Sequence, residues 1–408
     1  MARLRNGLVA VCAALALLCV TPALAQVAVA PDPASARVHL GPLMMNPTIV
    51  LDNLGIDNNV FNDPVGEIPK RDFTLSVTPK ADFWVRLGPT WASASLSSTL
   101  VWYQEYASER SANDQYKLGW NVPGSVMSFT VNWAYDNVHE RPGFEIDTRA
   151  GRKDETYSGA VEYHALSKTY VGVSGSRKRT RFASDAQYDG TNLDTSLNRV
   201  NTTAAVNVRH QLAPLTNLTL SVTRLMDRFE FSPERDSDAT TAQATIAFLP
   251  GALLKGSFTL GYSAFRPVDP DLPGYTGPIG TASLSAVLLG TTKFGVTGSR
   301  GVEYSYDVNQ PYYVRTGIAG SITQQIFGPF DLEARAGTEM LAYRDLAGAA
   351  VEVANRTDYV NTFGAGVGYH MGRSLRLAFN VDKVKRDSQL ADHQYDNFKF
   401  GTALSTTF

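Results

Sequence analysis

The stretch Met127-Ser128-Phe129-Thr130-Val131-Asn132-Trp133-Ala134-Tyr135-Asp136 alternates strictly between two kinds of side chain. One set is apolar and ends in aromatic residues, whereas the other is small or polar. A β-strand with lipid on one face and water on the other requires this period of two. A strand of a soluble β-sandwich can alternate in the same way, so one strand alone does not separate the two classes.

The same alternation returns along most of the chain. The clearest further examples are residues 73–77, 157–163, 258–262, 284–288, 318–322, 363–369 and 375–381. Short turns, mostly with Gly or Pro, alternate with longer polar connectors, which we place near residues 57–70, 107–114, 138–153, 182–198, 230–238, 267–278, 306–311, 345–355 and 387–394. Eight turns and nine connectors give 17 connections and hence 18 strands, within a range of 16–20. The sequence therefore predicts an all-β transmembrane antiparallel up-and-down β-barrel with short periplasmic turns and longer external loops.

The first 25 residues have the pattern of a secretory signal peptide. Arg3 and Arg5 precede an apolar stretch, and the small-residue triplet Ala23-Leu24-Ala25 follows Pro22. We expect cleavage near Ala25, a short periplasmic segment at residues 26–43, a barrel over residues 44–408 and a location in the outer membrane of a Gram-negative cell.

Composition excludes several other classes. No segment after the signal peptide has the roughly 18 consecutive apolar residues that a membrane helix requires. The net charge of -2 and the 19% of charged residues provide no field that would attract nucleic acid. Both cysteines lie within the signal peptide, so neither disulfides nor cysteine metal sites can hold the mature fold.

The last strand resembles the C-terminal signature of bacterial outer-membrane barrels. Phe400, Leu404 and Phe408 lie in the outward set of this strand, and Phe408 closes the chain. Thr406 departs from the aromatic residue that often stands third from the end. The resemblance implies that the barrel-insertion machinery reads this segment.

The predicted inward face carries charges of both signs, which either hydrate a pore or pair across strands as structural filling. Its small residues indicate a wide lumen. The pore-lining candidates are Lys80, Tyr103, Asp136, Glu162, Lys178, Arg209, Lys255, Lys293, Arg315, Glu333, Arg335, Glu339, Asp358, Arg376, Asp382 and Lys399. Tyr103 and Tyr343 are candidate stacking platforms for sugar rings.

The external connectors leave the state of the lumen open. None is a dedicated constriction segment on length alone, although several together could form a lid. The basic run from Arg177 to Arg181 either binds lipopolysaccharide phosphates or an anionic polymer, or is a solvated rim. Arg224, Arg228 and Arg300 do not fit strict alternation, and a β-bulge would re-aim them.

Catalytic and metal sites receive little support. The six histidines accompany no recognisable nucleophile motif, so we expect no enzyme activity and no cofactor. Asp57, Asn58, Asn59, Asn62 and Asp63 offer oxygen ligands, but they lack the Gly and Glu spacing of a calcium loop, so no metal site is predicted.

The stretch Asn53-Leu54-Gly55-Ile56-Asp57-Asn58-Asn59-Val60-Phe61-Asn62, followed by a Pro-containing loop and the strand at 72–79, resembles the opening of a family of outer-membrane β-barrel porins. Members of that family are often associated with exopolysaccharide synthesis and export. The resemblance implies a barrel through which, or beside which, polymer leaves the cell, with periplasmic export components as partners. The physical alternative is that Asn53 and Gly55 form a bulge or turn while Val60 and Phe61 pack at the rim.

Two functional classes follow. The first is a pore for polysaccharide or other polar solutes. The second is a closed structural or adhesive barrel whose external loops bind the envelope or a partner. Outer-membrane lipid and lipopolysaccharide are expected partners in either case.

Overall fold

The computed structural model describes residues 36–372 and 375–407, and its core is one 18-stranded β-barrel. The predicted signal peptide, most of the predicted periplasmic segment and Phe408 lie outside these residues. A short strand at Val38–Leu40 pairs with the start of the first barrel strand. Among the described residues, no helix is long and apolar enough to cross a membrane.

The barrel strands are β1 (Leu43–Asp57), β2 (Asp72–Leu87), β3 (Thr90–Tyr103), β4 (Ser111–Val122), β5 (Met127–Glu140), β6 (Ala150–Leu166), β7 (Thr169–Phe182), β8 (Arg199–Ala213), β9 (Thr216–Phe229), β10 (Ser237–Phe248), β11 (Leu254–Pro267), β12 (Tyr275–Leu288), β13 (Thr292–Tyr304), β14 (Tyr312–Gln325), β15 (Phe330–Arg344), β16 (Thr357–Met371), β17 (Leu375–Asp387) and β18 (Tyr395–Thr407). Each strand pairs antiparallel with the next. The first strand also pairs with the last, through Leu51 with Leu404 and Gly55 with Gly401. The barrel is therefore closed, and the predicted strand number is confirmed.

The two faces of the wall follow the period-two pattern. On β5, Phe129 and Val131 are 43% and 57% exposed toward the lipid side, whereas the intervening Thr130 is only 3% exposed. Several strands run farther into the external connectors than the sequence predicted. For example, Glu140 still pairs with Ala150 although both were assigned to a loop. Polar residues can occupy these extensions because they lie beyond the apolar band of the membrane.

The seam between β1 and β18 contains a bulge. The register of β1 shifts between Leu51 and Leu54, and Asn53 has a positive φ of 52°. A Cβ atom on Gly55 would lie 1.8 Å from the carbonyl oxygen of Phe400, so only glycine allows this close approach. The bulge interpretation of the opening motif is thus confirmed.

The residues that follow the seam organise the first external loop. Val60 is 1% exposed, and the ring of Phe61 packs edge-on against Tyr106 with centroids 5.0 Å apart. The Asp57 carboxylate accepts a hydrogen bond from the amide of Asn59 and pairs with Lys399 at 3.0 Å. These oxygen-bearing side chains therefore hold the backbone of the loop.

At the external end, the hairpin of β13 and β14 separates from β12, while β14 remains paired with β15 as far as Tyr312 with Arg344. Pairing of β12 with β13 ends at Gly280 and Arg300, although both strands continue. Beyond that point Tyr312 and Val314, which are each 1% exposed, pack against Phe265 of β11. Phe265 belongs to the inner face of β11, whose outward residues include Tyr262. Residues 301–316, here called the inner hairpin, therefore bend into the lumen.

The bulge expected at Arg224, Arg228 and Arg300 is not observed, and that prediction was wrong. Pairing is in regular register around all three residues. Their side chains point outward and find hydrogen-bond or ion-pair partners on the outer face. Arg224 and Arg228 bind Asp238 at 2.6 and 2.8 Å, and Arg300 donates to the carbonyl oxygen of Pro278 at 3.2 Å. Carboxylate partners for Arg224 and Arg228, and carbonyl and hydroxyl oxygens for Arg300, remove the need to re-aim these arginines.

Candidate functional site

A nine-residue loop between β5 and β6, residues 141–149, crosses the lumen and is here called the constriction loop. Glu145 and Ile146 at its centre are 1% and 3% exposed. Arg386 on β17, six strands from β5 around the closed barrel, donates to the backbone oxygen of Glu145 at 2.8 Å and to the Asp147 carboxylate at 2.5 Å. The loop is thus held at both walls.

The Glu145 carboxylate points into the inner hairpin. The hydroxyl of Ser305 donates to it at 2.5 Å, and the amide of Tyr306 donates at 3.2 Å. Burial raises the pKa of Glu145 from its ordinary value to about 7, although these hydrogen bonds and the nearby Arg356 and Arg386 act in the opposite direction. This carboxyl group can therefore change its charge within the ordinary pH range.

Arg386 is the anchor of the network. Its side chain is fully buried, and a second nitrogen donates to Asp358 at 2.7 Å. The other oxygen of Asp358 accepts from the hydroxyl of Ser388 at 2.7 Å. The Arg356 guanidinium lies 3.7 Å from the centre of the Tyr343 ring. A buried arginine is tolerated because carboxylates and an oxygen of the crossing loop surround it.

A second ionic cluster joins the inner hairpin to β15. Arg315 donates to Glu303 at 2.6 Å and to Glu339 at 2.9 Å. Tyr313 donates its hydroxyl hydrogen to Glu303 at 2.9 Å. The ring of Phe144 in the constriction loop lies 4.9 Å from the Arg315 guanidinium. The hairpin therefore presents one face to the loop and the other to the wall.

Two more external loops contact the constriction loop. Arg141 donates to the backbone oxygen of Val60 at 2.6 Å, which ties the constriction loop to the first external loop. Ile146 packs with Leu193 and Leu197, which belong to a one-turn helix in the loop between β7 and β8. The external end of the lumen is therefore occupied by several loops together, with the constriction loop at their centre.

Nearer the periplasm, most charges pair along the wall. Arg376 donates to Asp331 through two nitrogens, at 2.9 and 2.6 Å. The other inner-face pairs along the wall are Arg335 with Glu333 and Asp382, Arg209 with Glu162, Lys80 with Asp82 and, farther toward the external end, Lys178 with Asp154. The inner face of β9–β14 is different, because it is lined mainly by hydroxyls such as Thr241, Thr245, Thr259 and Ser263. The lumen below the loops thus has a charged side and a hydroxyl side.

The predicted pore-lining residues lie in three settings. Tyr103, Arg315, Glu339 and Asp358 are at the constriction, where Arg149 covers the Tyr103 ring at 4.8 Å. Those in wall ion pairs are Lys80, Glu162, Lys178, Arg209, Glu333, Arg335, Arg376, Asp382 and Lys399. Asp136, Lys255 and Lys293 lie on the inner strand face by register, in no ion pair among the described residues.

The two tyrosines proposed as stacking platforms are not free to stack. Tyr103 and Tyr343 are 3% and 0% exposed, and an arginine lies over each ring. The loops that cover them could not be placed from their length. The outward positions Phe400 and Leu404 of the insertion signal lie on β18, where Phe400 is 44% exposed.

Sequence reasoning missed the central residues Glu145, Asp147 and Arg386. Two signals were present. The apolar Phe144 and Ile146 flank Glu145 within an otherwise polar connector, and Arg386 continues the inward alternation of β17 beyond Asp382. Apolar residues in an external loop indicate that the loop folds inward, because they are otherwise exposed to water.

Among solved structures, the barrel is similar to OccK2 (OpdF) of Pseudomonas aeruginosa in complex with glucuronate, at 10% identity, TM-score 0.47, 89% of this chain and 98% of that one. It is also similar to a BenF-like porin from Pseudomonas fluorescens Pf-5, at 9% identity, TM-score 0.46, 89% of this chain and 99% of that one. No curated protein matches the sequence. The model of the family described as "Putative beta-barrel porin 2" matches residues 38–407. The chain therefore belongs to that family of outer-membrane β-barrel porins.

Proposed function

We propose that this porin passes small polar solutes, and that the constriction loop gates the path. The observation that carries the proposal is the loop itself, held by Arg386 on the wall and by Ser305 of the inner hairpin. A polymer threading through the barrel would have to displace this loop, together with its buried ion pairs. A small solute needs only a partial displacement of the loop, which is the gating step of this proposal.

The lining of the lumen supports a polar solute. Paired carboxylates and arginines on one side and hydroxyls on the other offer hydrogen-bond donors and acceptors to a passing molecule. The pairing also removes most of the net charge from the wall, which favours neutral or weakly charged solutes over strong ion selectivity. Sugar units fit this chemistry, since their hydroxyls exchange hydrogen bonds with water and wall alike.

The test compares the wild type with a variant in which residues 142–148 are replaced by a short Gly-Ser linker. Because Glu140 and Ala150 are paired partners, a short link can still join the two strands. The matched control shortens the loop between β11 and β12, residues 268–274, where Val268 is 59% exposed. Single-channel conductance and the swelling of liposomes in sugars of increasing size are measured for each folded barrel.

We expect the constriction-loop variant to conduct several-fold more current and to admit larger sugars, whereas the control behaves as the wild type. An anionic polysaccharide should block the shortened variant and leave the wild type unaffected. A large, steady wild-type conductance that the polysaccharide blocks would instead support polymer export and overturn the proposal.

The second candidate is a closed structural or adhesive barrel. It is favoured by the dense network at the external end, where Arg386 and Asp358 are both fully buried. If neither the wild type nor the shortened variant conducts when folded, this candidate replaces the first.

A further inference from the structure

The outer wall carries a groove that the pore does not use. It has a volume of about 520 Å³ and lies across β4 to β7. Its floor is formed by Gly159 and Gly175, which are paired neighbours on β6 and β7. Its lipid-side walls are Leu118, Trp120, Val131, Trp133 and Tyr157, with Arg177 at the edge. The groove faces the membrane, since Val131 and Tyr157 are exposed on the lipid side.

The hydrogen bonds of two aromatic side chains show which end of the groove meets the headgroups. Trp133 and Tyr157 donate from their polar tips to the Glu155 carboxylate, at 3.2 and 2.6 Å. Aromatic residues with such tips lie at the membrane–water interface. Arg177 is the eighth residue after the periplasmic start of β7, which places it roughly 20 Å up the wall for a tilted strand. The groove therefore lies just inside the outer leaflet.

The charge at this end is incompletely neutralised. Arg177, Arg179 and Arg181 all face outward and are exposed. Arg179 and Arg181 pair with Glu230 at 3.6 and 3.3 Å, and Arg179 also faces the Glu155 carboxylate across the β6–β7 pair. Within the described part of the chain, no carboxylate lies within ion-pair distance of Arg177. This edge of the groove is therefore suited to an anion.

We propose that the groove is a binding site for lipid A, the phosphorylated, multiply acylated glycolipid of the outer leaflet. One acyl chain lies on Gly159 and Gly175, between the side chains of Val131 and Tyr157. A phosphate of the same molecule binds Arg177, with Arg179 beside it. A glycerophospholipid also offers acyl chains and one phosphate, but the groove lies at the outer leaflet, where lipid A is the resident lipid. The outward Arg177, Arg179 and Arg181 outnumber the carboxylates that face them, which favours the more highly phosphorylated molecule.

The test measures lipid A retained on the folded protein after detergent exchange, by native mass spectrometry. Arg177→Gln removes the anion contact, and Gly175→Leu fills the slot. A Cβ on Gly175 would lie 3.5 Å from its nearest atom, the carbonyl oxygen of Thr203, so the wall itself tolerates a side chain there. Arg266→Gln, on the outward face of β11 away from the groove, is the matched control. The heat-dependent mobility of each variant in gels reports folding.

We expect each groove variant to retain about tenfold less lipid A, because Arg177→Gln removes one charge-assisted contact and Gly175→Leu removes the packing of one acyl chain. The control should retain as much as the wild type. Dephosphorylated lipid A should bind the wild type no better than it binds Arg177→Gln. Retention unchanged in both groove variants would overturn the proposal, as would equal retention of phosphatidylglycerol and lipid A by the wild type.

Discussion

Replacing Glu145 with Gln should abolish a pH-dependent closure of the pore. In the closed loop the pKa of this carboxyl is about 7, against an ordinary value of 4.5 when the loop opens to water. Since the pKa is raised in the closed form, the protonated group stabilises closure at low pH, and that contribution is lost as the pH rises through 7. The difference of 2.5 pKa units corresponds to about 3 kcal/mol, or a change on the order of 300-fold in the ratio of open to closed channels.

The groups that face Glu145 come from several elements, and each of them keeps its charge state over this window. They are Arg386 on β17, Arg356 before β16, Arg235 before β10, Tyr343 on β15, Tyr188 in the loop after β7, and Tyr306 and Tyr313 of the inner hairpin. His393, in the loop after β17, also belongs to this cluster, since its ring lies 3.4 Å from the Tyr188 hydroxyl and burial lowers its pKa from the ordinary value. The pH dependence is therefore assigned to Glu145 by the Glu145→Gln variant, in which His393 is unchanged.

The assay is single-channel recording in a planar bilayer from pH 4 to pH 8. Wild-type channels should be increasingly closed as the solution is acidified. The Glu145→Gln variant should remain in the low-pH behaviour throughout, because the amide oxygen still accepts from Ser305 and carries no charge. Glu352→Gln in an exposed external loop is the control and should titrate as the wild type. A Glu145→Gln channel with an unchanged pH profile would refute the reasoning.

Three further predictions concern the walls. Arg386→Met leaves Asp147 without an ion-pair partner among the described residues and leaves Asp358 with Arg356 alone, at 3.7 Å. It should weaken the closed external end by about 3–5 kcal/mol and increase conductance, as measured by urea unfolding and bilayer recording. Gly55→Ala should block closure of the seam, because a Cβ would lie 1.8 Å from the facing carbonyl oxygen, whereas Gly159→Ala, with 3.8 Å available, should fold normally; heat-dependent gel mobility distinguishes them. Asp331→Asn removes the charge that Arg376 binds twice and should reduce stability to urea by about 1–3 kcal/mol without shifting the pH profile of gating.

The wall could be predicted from the sequence because the alternation within each strand reflects lipid on one face and the lumen on the other. The alternation at Phe129, Thr130 and Val131 is sufficient to orient β5, and the rhythm of turns gives the strand number. The outward Arg224 and Arg300 are exceptions to the rule that outward positions are apolar, because their partners lie on neighbouring strands or across a hairpin. A period-two pattern contains no information about such cross-strand compensation.

The constriction could not be predicted in the same way. Glu145 and Arg386 are separated by 241 residues and meet only because the barrel closes. Loop length was a poor guide, since nine residues suffice to cross a lumen that other loops already narrow. The inner hairpin could not be predicted either. By alternation Val314 belongs to the same outward set of β14 as the lipid-facing Ile318, and it is buried only because β13 separates from β12 at this end.

Because of the inner hairpin, the barrel wall is not continuous at its external end. Beyond the point where β12 and β13 separate, the edge formed by β13 and β14 packs on the inner face of β11. The overlap is held by apolar side chains such as Phe265 and Tyr312, whose contacts have little directional preference. Sliding along this overlap would leave the hydrogen bonds between paired strands intact, but it would have to break those that Arg235 donates across the overlap to the backbone oxygens of Ser305 and Pro311.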